Sequence, residues 1–78
     1  MAYGKVGRYE KAISDFNMAI EINPSYIDAY FNKALACEKT GRIREAVEAY
    51  NGFIQYAPPQ YASLIEHAKK RIRELEGR

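Results

Sequence analysis

Residues 7–24 read GRYEKAISDFNMAIEINP, and residues 41–58 read GRIREAVEAYNGFIQYAP, an offset of 34 residues. Laid on itself at that offset, the chain pairs Lys5 with Lys39, Gly7 with Gly41, Arg8 with Arg42 and Ala12 with Ala46. It also pairs Asn17 with Asn51, Ile20 with Ile54, Pro24 with Pro58 and Ala34 with Ala68. Conservative pairs fill the gaps: Ile13 with Val47, Phe16 with Tyr50, Ile27 with Tyr61, Tyr30 with Leu64, Phe31 with Ile65. A register that keeps Gly, Ala and Pro in place is an internal repeat, and a period of this size signals stacked supersecondary units.

Each unit carries a helix–turn–helix pattern. In residues 8–22, Tyr9, Ala12, Ile13, Phe16, Ala19 and Ile20 recur at three- and four-residue steps, one apolar helix face. Asn23-Pro24 stops it, because proline disfavours helical backbone in the residue before it. Ser25 followed by Asp28 predicts a capping box for a helix over 26–39, with Ala29, Tyr30, Ala34 and Cys37 on its packing side. Gly41 ends that helix by supplying a positive φ. Residues 42–56 form the next helix, ended by Ala57-Pro58-Pro59, and Pro59 suits the first turn of a last helix over 60–76. No stretch alternates long enough for a strand. The expected class is all-α.

Composition narrows function. The chain has 78 residues, net charge +2, 47% hydrophobic and 28% charged residues, the profile of one small globular domain without the strong basicity of a dedicated nucleic-acid binder. Ten aromatics, seven of them Tyr, argue against disorder. One cysteine precludes an intrachain disulfide, which fits a reducing, cytoplasmic setting. No apolar run reaches the length of a membrane helix, and no signal peptide is expected.

These residues resemble the tetratricopeptide repeat, a family of 34-residue helical hairpins stacked as a right-handed α-solenoid. Tyr30, Ala34, Gly41, Ala46, Tyr50 and Pro58 carry the resemblance in a complete repeat; Tyr3, Gly7, Ala12, Phe16, Ala19 and Pro24 carry it in a preceding half repeat. The implied organisation is a remnant of a truncated first helix at 1–6, a second helix at 7–25, a complete repeat at 26–60 and a capping helix at 61–78. Met1 to Val6 alone are too few for a stable helix. The sequence departs from the family at Lys33, where Leu is common, and at Phe53 beside Gly52, where the first unit has Ala19.

The resemblance implies non-catalytic protein–protein interaction, with a protein or peptide ligand in a concave groove. Carried over by alignment, the groove residues are Asp28, Phe31, Asn32, Leu35 and Lys39, then Ala62, Ile65, Glu66 and Lys69. Phe31, Leu35 and Ile65 would form its apolar strip. One version of the family grips a C-terminal carboxylate with Asn and Lys/Arg side chains. Asn32 matches one such position, but Ala62 and Glu66 occupy the basic ones, and an acid there repels a carboxylate. An alternative is a self-associating unit that forms dimers or filaments. The 8–22 helix is written to pack on a first helix that is mostly absent, with Tyr9, Ile13, Phe16 and Ile20 facing the gap. A third reading uses Lys69-Lys70-Arg71-Ile72-Arg73 for nucleic acid or an acidic partner; Glu66, Glu74 and Glu76 interleave with that run, and Glu66–Lys70 and Lys70–Glu74 have ion-pair spacing. Catalysis, cofactor and metal are not expected. Cys37 falls on a packing face and is read as structural, His67 as partly exposed, and one Cys and one His lack the ligands of a metal site.

Overall fold

The computed structural model describes residues 2–77, with side chains from residue 7 onward. Four α-helices follow one another: α1 (Ala2–Ile22), α2 (Ile27–Lys39), α3 (Ile43–Tyr56) and α4 (Ala62–Glu76), the last entered through a short 3-10 turn, Pro59–Tyr61. Each helix packs on the next in sequence, and the Cα envelope is 39 × 32 × 17 Å. The shortest dimension holds two layers of helices.

The all-α, helical-hairpin class expected from the repeat is the observed one. The first boundary differs. A boundary was expected at Gly7, between a remnant at 1–6 and a helix at 7–25, yet Gly7 lies inside the single helix α1, and Gly41 is the only positive-φ residue among those described. The physical reason is context. At Gly41 the chain must reverse so that α3 can pack on α2. Among the described residues no reversal occurs at Gly7, and its backbone is helical. The expected role of Tyr3 in packing lies outside the described side chains.

Gly41, at φ 76°, closes α2 with paired bonds: the Arg42 amide donates to the Cys37 carbonyl at 2.8 Å and the Gly41 amide to that of Glu38 at 3.3 Å. This is a Schellman ending, available because glycine meets no Cβ penalty there. The capping box expected at Ser25 does not form. Tyr26 takes the cap position without a side-chain bond, and the Ser25 hydroxyl and amide instead donate to Asn23 Oδ1 at 3.0 and 3.3 Å. Asn23 holds the turn, as Asx side chains do when they compete with a helix start.

The core is Ile13, Ala34, Ala36, Cys37, Ala46, Ala49, Tyr50, Phe53, Ala68 and Leu75. Ala34, Ala46 and Ala68 are wholly buried, small where helices approach closely, while the equivalent Ala12 is half-buried. Phe53 is buried against Phe31, ring centroids 5.1 Å apart, and meets Tyr61 edge-on at 6.5 Å. Gly52 gives the adjoining space to Tyr30, whose ring lies against its Cα and stacks on Tyr56 at 5.9 Å. The unusual Gly52-Phe53 pair therefore divides the space between one small and one large residue.

Candidate functional site

α2 and α4 lie side by side across α3, and only side chains bridge them. Between them is a cleft of about 400 Å³ lined by Leu35, Glu38 and Lys39 of α2, His67 and Arg71 of α4, and Tyr50 of α3 beneath. Leu35, 38% exposed, is its apolar contact.

The floor is a polar cluster. Arg71 forks onto both carboxylate oxygens of Glu38, and the Tyr50 hydroxyl donates to the same carboxylate. Arg71 also pairs with Glu74 at 2.7 Å. Burial works to raise the Glu38 pKa, but the hydrogen bonds from Arg71 and Tyr50 outweigh it, and the net shift is downward. Burial, reinforced by the Glu38 charge, pushes the Tyr50 hydroxyl up, so it stays a donor. With Glu38 committed to these partners, Lys39 and His67 remain as basic or ionisable groups at the rim.

Of the groove residues expected from the sequence, Leu35 and Lys39 line this cleft. Phe31 sits half-buried beneath its edge, ring centroids 5.9 Å from Tyr50 and 6.2 Å from His67. Ile65 is half-buried and packs on the core. Asp28, Asn32, Ala62, Glu66 and Lys69 are exposed but do not line the cleft, and Glu66 pairs with Lys69 at 3.5 Å. The alignment missed Glu38, His67 and Arg71. A signal was present, since Glu38 and Arg71 are opposite charges on consecutive helices of the same type. The sequence-only ion pairs through Lys70 are replaced by Glu66–Lys69 and Arg71–Glu74, and Arg71 turns inward from the basic run.

The residues expected to face a gap divide. Ile13 is 4% exposed and belongs to the core, so that expectation fails for it: α1 turns Ile13 toward α2 rather than away. Tyr9 also packs on the core, while Phe16 and Ile20 are half-buried outside it. Among the described side chains of α1, the large apolar ones left open are instead Met18, 61% exposed, and Ile22, 80% exposed. Glu10 pairs with Arg42, which reaches Glu45 at 3.5 Å, fastening α1 to the α2–α3 turn.

Cys37 is wholly buried, 3.9 Å from a Glu45 oxygen, and burial, then Glu45, raises its pKa. Such a thiol is a poor nucleophile. Among the described residues no three His, Cys, Asp or Glu side chains gather where a metal could sit, and no helix is long and apolar enough to cross a membrane.

Comparison with known proteins agrees with the helical-hairpin fold. Residues 2–41 match the family model of the TPR repeat, and residues 27–60 match that of the tetratricopeptide repeat. An uncharacterized protein of Methanocaldococcus jannaschii is 55% identical over 47 residues, 60% of this chain and 55% of that protein. The small glutamine-rich tetratricopeptide repeat-containing protein 2 of Mycosarcoma maydis is 35% identical over 73% of this chain and 16% of its own length. The Protein SGT1 homolog of Oryza sativa subsp. japonica is 32% identical over 94% of this chain and 20% of its own. The chain thus spans about half of the first of these relatives and a fifth or less of the other two. No solved structure matches. With two family models matched, over 2–41 and 27–60, and a hairpin closed at Gly41, the chain belongs to the tetratricopeptide repeat family, and with it to modules of protein–protein interaction.

Proposed function

We propose that this chain is a non-catalytic interaction module whose α2–α4 cleft receives an extended or helical peptide carrying one apolar side chain next to a carboxylate. The observation that supports this is the lining of the cleft: Leu35 is exposed between Lys39 and His67, above an acid already neutralised by Arg71. The apolar residue covers Leu35 and the edge of Phe31, and the carboxylate faces Lys39. A desolvated apolar anchor beside one charge pair is a common way for a small groove to gain both affinity and register. Among the relatives is a protein named as a tetratricopeptide repeat and J domain-containing co-chaperone, from Cryptococcus neoformans, which supports a peptide or protein ligand rather than a small substrate.

The test is selection of random twelve-residue peptides displayed on phage, followed by amide-shift mapping of the synthesised winners. The expected winners combine Leu, Ile or Phe with Asp or Glu and shift Leu35, Lys39 and His67. Leu35→Glu and Lys39→Glu each weaken them about tenfold, the scale of 1.4 kcal/mol. Winners that map to the second depression, about 610 Å³ between α3 and the end of α4 at Ile43, Val47 and Glu76, would overturn the reading. Indifference to both substitutions would do the same. A second reading, self-association, is favoured by the exposure of Met18 and Ile22 on α1.

A further inference from the structure

We infer that a second copy of this chain docks head to tail, with α1 of one copy laid on α4 of the next as α3 lies on α2 within one copy. The repeat supplies the template. At the offset of 34, α3 corresponds to residues 9–22 of α1, and α2 to residues 61–73 at the start of α4. Within the chain α2 and α3 complete one hairpin. Among the described residues α4 carries the first-type pattern without a second-type helix after it, and α1 the second-type pattern without a first-type helix before it.

The side chains at the template contact predict what a docked copy would touch. Tyr30 of α2 lies on Gly52 and stacks on Tyr56 of α3. The equivalents of these three are Leu64, Met18 and Ile22. All three belong to the small group of exposed large apolar side chains, at 39%, 61% and 80%. They lie at the two ends of the molecule, and the repeat register sets them opposite one another.

The rest of the template maps consistently. Tyr50 hydrogen-bonds Glu38 within the chain. Their equivalents are Phe16 and Ile72, so a buried polar pair becomes an apolar one at the joint. Phe31 against Tyr50 and Phe53 becomes Ile65 against Phe16 and Ala19. Cys37 beside Glu45 becomes Arg71 beside Lys11, a like-charge pair, but Arg71 is already paired with Glu38 and Glu74. A two-fold meeting of α1 with α1 would oppose Met18 to Met18 and leave Leu64 in water. The head-to-tail joint covers both ends with one contact, and because the contact is heterologous it propagates into a chain of copies.

The experiment is sedimentation velocity of the intact chain from about 10 μM to 1 mM, a range suited to weak association. It is run on the parent, on Met18→Glu, on Leu64→Glu, and on an equal mixture of the two variants. Both sites are exposed, so the variants keep the parent's circular dichroism. The parent's mass should rise with concentration beyond that of a dimer. Each variant alone should remain at the 9.0 kDa of a single chain. Their mixture should stop at a one-to-one dimer, since each variant keeps the end that the other has lost. A parent that stays monomeric throughout overturns the inference. So does Leu64→Glu associating like the parent, which would indicate a two-fold α1 contact, and so does a mixture that stays monomeric.

Discussion

Gly52→Ala is the substitution on which helix propensity and packing disagree in sign. In an exposed helix interior, Ala exceeds Gly by about 1 kcal/mol. At Gly52, however, a Cβ would strike the ring of Tyr30. The ring cannot move cheaply: its hydroxyl donates to the Pro24 carbonyl at 2.8 Å and its face stacks on Tyr56. Burial, then Tyr56, raises the Tyr30 pKa, consistent with a held phenol. Displacing the ring forfeits a hydrogen bond of about 1 kcal/mol and an aromatic contact of about 0.5–1.5 kcal/mol. Keeping it in place costs a similar overpacking strain. The net expectation is a loss of about 1 kcal/mol, or about 4–8 °C in Tm for a domain of this size. In a Tyr30→Ala background the obstacle is gone, and the same Gly52→Ala change should stabilise by about 1 kcal/mol. The coupling between the two sites is then about 2 kcal/mol. Urea melts of the four chains at one low concentration measure it, low because association raises apparent stability. Gly52→Ala raising stability in the parent background, or having one effect in both, would refute the reasoning.

The repeat-equivalent glycines should respond oppositely. Gly41→Val forces a β-branched residue to φ 76° and should lose about 1–3 kcal/mol in a thermal melt, whereas Gly7→Ala, in mid-helix with open space at its Cβ, should gain about 0.5–1 kcal/mol. Glu38→Gln should cost about 1–3 kcal/mol at pH 7, because Arg71 and Tyr50 lose a charged acceptor. The folded-state pKa of Glu38 is depressed, so its contribution is full above the ordinary carboxylate range and is lost as pH falls through that lowered value. Urea midpoints taken from pH 7 to pH 2 should therefore fall more steeply for the parent than for Glu38→Gln below about pH 4. Parallel profiles would remove Glu38 from the acid response.

Several features were legible in the sequence because they are local or repeat-encoded. The helix over 8–22, the stop at Pro24, the positive φ of Gly41 and the burial of Ala34, Ala46 and Cys37 follow from apolar spacing, backbone sterics and the register of 34. Three decisions belonged to tertiary structure. Gly7 and Gly41 share a Lys two residues before and an Arg one residue after, yet only Gly41 turns, because α3 folds back there onto α2 while α1 runs on through Gly7. The capping pattern at Ser25 lost to Asn23, since two short-range acceptors competed and the turn chose between them. The groove expected by alignment, from Asp28 to Lys69, shares only Leu35 and Lys39 with the cleft, whose chemistry depends on Arg71 reaching Glu38 across 33 residues of chain. A periodicity can say which face of α4 is charged. Which of its cations turns inward depends on the acid that α2 offers once both helices are packed on α3.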